Sequence, residues 1–267
     1  MPKLKVNGAE LFYEEKGSGN ETLVFAHGLL FSNLMFEKQI EAFQDRYRCI
    51  AFDFRGQGQS EVTREGYDMD TLAEDAAALI RELNAGPCHF AGLSMGGFIG
   101  QRLALRHPEL LRSLTILESS SEPEPRENVG KYRLLNFIAR WFGLGVVAGQ
   151  VMPIVFGEKF LNDAGRREER ETWRQRITSN HRVGITRAVR GVIERQGVYD
   201  EIAKISVATL IIVGDQDMAT VPAKSERMHE RIPGSKLVII PGAGHTSTVE
   251  EPAAVNRAME EFLAALS

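Results

Sequence analysis

A serine, two neighbouring aspartates and a histidine, each delivered at the end of an apolar run, are the residues of this 267-residue chain whose types and spacing suit chemistry. Gly92-Leu93-Ser94-Met95-Gly96 sets the serine in G-x-S-x-G. A short apolar run, residues 88–91, precedes it, and residues 98–106 follow with Phe98, Ile99, Leu103 and Leu105 at helical spacing. In such an elbow the serine is held in a strained backbone conformation. Gly92 and Gly96 leave room for strand and helix to approach, and the hydroxyl stands exposed at the sheet's edge. A serine hydroxyl alone is a poor nucleophile until a base takes its proton and an acid orients that base. Downstream, residues 209–213 read as a buried strand running into Gly214-Asp215-Gln216-Asp217. Residues 236–240 form another strand, ending in Pro241-Gly242-Ala243-Gly244-His245 just before a terminal helix over residues 252–266. The order is serine, acid, histidine, with Asp215, Asp217 and Glu118 (after the strand at residues 114–117) all open as the acid.

The elements that must position these groups alternate. Strands near residues 22–26, 49–53, 88–93, 114–118, 209–213 and 237–240 are separated by helical patterns, which implies an α/β fold with a mostly parallel, helix-covered sheet. The alternation breaks after Glu118. Residues 119–125 read as a polar, proline-containing linker, and strand character returns only near Val207. Between them lie helical pieces at residues 132–142, 146–156, 166–178 and 181–196. Residues 1–118 and 201–267 are therefore expected to form the core domain. Residues 119–200 are expected to form an inserted helical cap over the carboxyl edge of the sheet, where open α/β sheets place their sites.

The serine-acid-histidine order, each member following a strand, resembles that of the α/β-hydrolase superfamily, and the resemblance extends over nearly the whole chain. His27-Gly28-Leu29-Leu30 is similar to the superfamily's oxyanion loop, and Asp53-Phe54-Arg55-Gly56-Gln57-Gly58-Gln59-Ser60 to its D-x-R-G-x-G-x-S turn. Gly242-Ala243-Gly244-His245 with Glu250, Glu251 and Pro252 is similar to its final loop. The resemblance implies an α/β-hydrolase fold with Ser94 as nucleophile, His245 as base and Asp217 as the acid, Asp215 then being a turn residue. It also implies an oxyanion hole made by the backbone amides of Leu29 and Met95. Such a mechanism needs no cofactor. His27 is implied to shape the oxyanion loop, and Asp53 and Arg55 to make a charged turn. The serine separates the chain from haloalkane dehalogenases and epoxide hydrolases, which use aspartate at the elbow. Residues 93–97 are similar to 3-oxoadipate enol-lactonases, cofactor-free haloperoxidase-like esterases and small carboxylesterases alike. The H-G-x-G-P-G loop of carbon-carbon bond hydrolases is missing. The expected substrate is a small ester or, alternatively, an enol lactone; a non-catalytic ligand-binding protein of the same fold is the reading from another class.

Composition agrees with an ordinary globular protein: 43% hydrophobic, 25% charged and a net charge of -4. No basic run points to nucleic acid, no apolar run approaches a membrane span, and no His or Cys spacing suits a metal. The start of the chain lacks the apolar core of a signal peptide, so a cytoplasmic location is expected. Cys49 and Cys88 fall in strand-like runs and read as core thiols. Residues 119–200 hold 14 Lys and Arg against 10 Asp and Glu, a net of +4, while the rest holds 18 against 26, a net of -8. A basic cap would draw anionic substrates; the mixed run at residues 166–171 equally describes a solvated helix face. An enol-lactonase would need one cap cation facing the substrate's carboxylate. Leu30, Phe137, Trp141, Met152, Phe156 and Met218 are expected to line an apolar substrate pocket, core packing being the other explanation for the cap members. Oligomeric state is not legible.

Overall fold

The computed structural model describes residues 2–266. Eight strands form one sheet: β1 (Lys3–Val6), β2 (Ala9–Lys16), β3 (Glu21–Ala26), β4 (Tyr47–Phe52), β5 (Cys88–Leu93), β6 (Leu111–Leu117), β7 (Ala208–Gly214) and β8 (Lys236–Ile240), in the order β1-β2-β4-β3-β5-β6-β7-β8. β1 pairs antiparallel with β2 and β2 with β4; every other pairing is parallel. The helices are α1 (Glu37–Phe43), α2 (Met69–Glu82), α3 (Met95–Arg106), α4 (Arg126–Phe142), α5 (Leu144–Val155), α6 (Glu158–Asn162), α7 (Arg167–Thr178), α8 (Arg182–Ile193), α9 (Pro222–Arg231), α10 (Ser247–Glu250) and α11 (Pro252–Ala264). This is the α/β-hydrolase fold expected from the sequence. Among the described residues no helix is long and apolar enough to cross a membrane.

The central strands are buried and mostly apolar because helices cover both faces, with His89, Ser113 and Thr115 among the polar exceptions. Along β3 the side chains alternate. Val24 and Ala26 join Phe90, Ile116, Leu72 and Leu103 on the α2/α3 face, while Leu23 and Phe25 join Phe43, Leu210, Ile212 and Phe262 on the α1/α11 face. Each fully buried Leu, Ile or Phe adds about 1.5–3 kcal/mol of burial energy, so two such layers sustain the sheet without staples. Cys49 and Cys88 are free, buried thiols within these layers. Parallel pairing brings the carboxyl ends of β3, β4, β5, β6, β7 and β8 to one edge.

All five helices from α4 to α8 come from the segment between β6 and β7. α6 escaped the sequence reading because five residues give no periodicity to detect. The polar, proline-containing stretch at residues 119–125 starts inside the protein: Ser119, Ser120 and Ser121 are all buried, and the Ser119 hydroxyl donates to the Ser94 carbonyl at 2.8 Å. Ser120 Oγ accepts the Glu122 N–H at 3.1 Å, whereas the buried Ser121 hydroxyl has no partner among the described residues.

Two glycines show the difference between required and incidental. A Cβ on Gly96 would lie 2.0 Å from the backbone oxygen of Ala26, whereas one on Gly130, inside α4, would meet nothing within 4 Å. Gly96→Ala is expected to destabilise the protein by roughly 3 kcal/mol or more, since backbone must move. Gly130→Ala should stabilise it by about 0.5–1 kcal/mol through helix propensity. Thermal melts read both; a neutral Gly96→Ala would contradict the packing of α3 against β3.

Candidate active site

β5 ends at Leu93 and α3 begins at Met95, leaving Ser94 alone to turn the chain. Its φ of 52° and ψ of -109° are the strained backbone expected of an elbow. The turn is pinned on both sides: the Ser94 N–H donates to the Leu117 carbonyl at 2.8 Å, and its own carbonyl accepts from Ser119 Oγ and from the Phe98 N–H. A Cβ on Gly92 would come within 2.2 Å of the Gly96 oxygen, so strand and helix can cross here only with glycine.

β8 and the turn after it carry His245, which is buried, to the same edge. Its Nδ1 lies 2.9 Å from Asp217 Oδ2 and 3.0 Å from Oδ1. The carboxylate also accepts from the Ala219 and Thr220 N–H groups through Oδ1 and from the Thr220 hydroxyl through Oδ2. Burial pushes the Asp217 carboxyl up, but His245 and the Thr220 donors outweigh it and hold it below the usual carboxylate range. With Nδ1–H donated to Asp217, Nε2 keeps its lone pair. The two other candidate acids sit elsewhere. Asp215 is exposed and accepts the Gly242 N–H at 2.7 Å, closing a turn. Glu118 is fully buried, and burial, reinforced by the charges of Asp217 and Glu250, holds its carboxyl well above the usual range and favours the neutral form.

The loop after β3 is braced from three directions. Burial pushes the His27 imidazole down to about 4, so it is neutral at pH 7; Nε2 accepts the Phe54 N–H at 3.0 Å, and Nδ1–H donates to the Gly28 carbonyl at 2.7 Å. Leu30, at φ 76°, is held by Gln57 Oε1 at its N–H and by Asn180 Nδ2 at its carbonyl. The N–H groups of Gly28, Leu30 and Phe31 are all taken, while that of Leu29 has no acceptor among the described residues. Met95 opens α3, so its N–H is one of the helix's first donors, with no intrahelical acceptor. Asp53 accepts the Asn33 and Gln59 N–H groups, and Arg55 pairs with buried Asp75. Both therefore belong to the scaffold.

Glu250 is a group whose part was not read from the sequence. Its buried carboxylate accepts from the N–H groups on either side of His245, Gly244 and Thr246, and also from the Gly157 N–H and the Thr246 hydroxyl. One side chain thus fixes the histidine's loop to the segment joining α5 and α6. Burial still raises its pKa in spite of these donors. Glu250→Gln sets an amide N–H₂ against donors, so at least one pair of bonds is lost. A stability loss of about 2–4 kcal/mol is expected, together with a fall in kcat as His245 gains freedom. An unchanged melting temperature and kcat would show that the loop is held by other means.

Ser94, His245, Leu29 and Leu30 share a cavity of about 150 Å³, the scale of a void that holds a benzene-sized group. Leu30 lines it as expected; the other five expected pocket residues do not. Phe137 and Trp141 are 58% and 65% exposed, their rings tilted against each other on the outward face of α4, and Met218 is 72% exposed. Phe156 is buried against Phe160 in the α1/α11 layer, and Met152 packs against the same layer. The reason is helix phase. α4 turns Tyr132, Leu135, Asn136 and Ala139 to the cavity, spacings of three and four that put the bulkier Phe137 and Trp141 on the opposite face. That periodicity was readable; size was the wrong guide.

A family model described as the alpha/beta hydrolase family matches residues 23–258. The chain is 29% identical over 241 residues to 3-oxoadipate enol-lactonase 2 of Acinetobacter baylyi, covering 90% of this chain and 88% of that protein. Its structure is similar to that of a thermophilic esterase from Thermogutta terrifontis, at 30% identity with a TM-score of 0.92, covering 100% and 99% of the two chains. It is also similar to the enol-lactonase from Burkholderia xenovorans LB400, at 26% identity with a TM-score of 0.92, covering 98% and 100%.

Proposed function

This chain belongs to the alpha/beta hydrolase family, and we propose that it cleaves small carboxylic esters through an acyl-enzyme. The observation that carries this reading is the meeting, on one cavity, of a serine at a strained elbow and a histidine bound through Nδ1 to a buried carboxylate. Ser94 Oγ attacks the carbonyl carbon as His245 Nε2 takes its proton. The carbonyl oxygen becomes an oxyanion that accepts from the Leu29 and Met95 N–H groups, each such donor being worth about 3 kcal/mol in the transition state. Collapse breaks the bond to the alcohol oxygen, which leaves with the proton from His245. Water repeats the sequence on the acyl-enzyme and releases the acid. Asp217 holds the imidazole in the required tautomer and stabilises its cation.

The helices from residues 119–200 act in this reading as a cap that closes the cavity and selects the substrate. A lactone is the second reading, favoured by the similarity to two enol-lactonases; the same steps apply, with the leaving oxygen staying tethered to the acyl group. Labelling by a fluorophosphonate, with the modified peptide mapped, tests the proposal alongside turnover of chromogenic esters and lactones. Modification at Ser94 and turnover are expected. An unlabelled Ser94 in folded protein, with no ester or lactone hydrolysed, would overturn the reading.

A further inference from the structure

The cavity wall carries, among the described residues, one Lys or Arg: Arg195, just beyond α8. It is the inward-facing cap cation that the sequence left unassigned. Arg174, by contrast, pairs with Glu171 on an exposed helix face, and Arg166 pairs with Glu169 and donates to the Val249 and Glu250 carbonyls, away from the cavity. Arg195 is almost fully buried. Its Nη1 lies 2.7 Å from Glu124 Oε2, a second cavity residue, and 2.9 Å from the Val192 carbonyl; its Nε donates to the Glu122 carbonyl at 3.1 Å. The guanidinium carbon stands 4.4 Å from the ring centroid of Phe98, which also lines the cavity. Nη2 has no acceptor among the described residues, and neither has the hydroxyl of Tyr132 on the same wall.

We propose that Arg195 and Glu124 form a specificity subsite that takes a neutral hydrogen-bond acceptor, a carbonyl oxygen, on the substrate's acyl chain and turns away a carboxylate. The argument is one of charge and of free donors. Arginine binds carboxylates best through two parallel N–H groups. Here Nε and Nη1 are already engaged, which leaves only Nη2 and rules out the parallel two-nitrogen fork. The positive charge is already matched by Glu124 at contact distance. A second carboxylate would enter an apolar cavity beside Glu124 with no further cation on the cavity wall, Lys224 and Arg102 lying behind it within electrostatic reach of the pair, and would lose its hydration there. A ketone loses far less on desolvation and still receives a charge-assisted bond from Nη2. The subsite thus favours a keto-acyl ester or lactone over the carboxylate-bearing enol lactone, and it rests on the ester-hydrolase reading above.

Three near-isosteric nitrophenyl esters test it: pentanoyl, 4-oxopentanoyl and succinyl, which place a methylene, a ketone and a carboxylate at the same point of the chain. For the native protein, kcat/KM is expected to be roughly tenfold higher for 4-oxopentanoyl than for pentanoyl, the worth of one hydrogen bond to a charged group. Succinyl should fall at least about tenfold below pentanoyl. The 4-oxopentanoyl to pentanoyl ratio should collapse toward one in Arg195→Met and in the paired Arg195→Met, Glu124→Leu protein, which leaves no buried charge behind. Glu124→Gln, which frees the guanidinium charge, should raise the succinyl to pentanoyl ratio about tenfold. Kd values for the same esters on Ser94→Ala protein read the subsite without turnover. The ranking in Kd with no hydrolysis by native protein would fail the hydrolase reading alone. Native protein that prefers succinyl, or a 4-oxopentanoyl preference that survives loss of Arg195, would overturn the subsite.

Discussion

Replacing Ser94 by alanine is expected to lower kcat by roughly six orders of magnitude, the scale on which a serine hydrolase loses its nucleophile, while leaving the fold intact. The two halves of that result come from different features of one residue. The hydroxyl makes no hydrogen bond among the described residues, so its removal leaves no buried partner unsatisfied. The backbone is what the fold uses: the N–H and carbonyl of Ser94 bond Leu117, Ser119 and Phe98, and alanine keeps all three. A second substitution separates chemistry from stability more sharply. Ser94→Gly removes the same nucleophile but also relieves a side chain at φ 52°. Such strain costs about 1–3 kcal/mol, less the entropy that glycine adds to the unfolded chain. A net gain near 1 kcal/mol should raise the melting temperature by about 2–4 °C in a protein of this size. Activity and stability would then move in opposite directions, as expected of a residue strained for function. A Ser94→Ala protein that keeps a tenth of the native kcat would place the nucleophile elsewhere, and a Ser94→Gly protein that melts lower than native would contradict the strain at the elbow.

What the sequence disclosed and what it withheld follow from how far apart the interacting residues are. The elbow was legible because its requirements are local: Gly92, Ser94 and Gly96 lie within five residues, and glycine is required where strand and helix backbones touch. The six strands β3 to β8 showed for the same reason, each being a short, mostly apolar run, whereas the antiparallel edge pair β1 and β2 was not among the strands placed. His245 and Asp217 could be placed because each follows such a run. The groups that aim them were hidden. Glu250 reaches back across its own loop to Gly244 and over to Gly157, and Gln57 and Asn180 meet at Leu30 from 27 and 150 residues away. Nothing in a single sequence couples those positions. The pocket wall was misread for another reason. Hydrophobic size drew attention to Phe137 and Trp141, whereas the cavity is defined by the phase of α4 and by the smaller Leu135 and Ala139. Burial of Ser119 at the start of a stretch that reads as a linker was hidden as well. A polar side chain is compatible with the interior when backbone carbonyls lie within reach.

Asp217→Asn should cost about four orders of magnitude in kcat, and the site's hydrogen bonds show how. In native protein, Asp217 Oδ1 accepts two backbone N–H groups, those of Ala219 and Thr220, while Oδ2 accepts the Thr220 hydroxyl. Asparagine keeps one oxygen. Placing it at Oδ1 satisfies both amides, so the N–H₂ falls at the Oδ2 position, 2.9 Å from His245 Nδ1. That nitrogen can then only accept, its proton moves to Nε2, and the lone pair that should receive the Ser94 proton is lost. Thr220 can turn its hydroxyl to accept instead of donate, so the fold has little to lose. The same change at the other carboxyls should be mild. Asp215→Asn retains an oxygen for the Gly242 N–H on an exposed turn. Glu118→Gln replaces a carboxyl whose neutral form burial favours by a neutral amide of the same shape. Both should keep kcat within about tenfold, the range of an indirect effect. Steady-state kinetics on the three variants, with circular dichroism to certify folding, decides the matter. If Glu118→Gln or Asp215→Asn were the damaging change and Asp217→Asn the mild one, the histidine would be oriented by a different carboxylate from the one it touches.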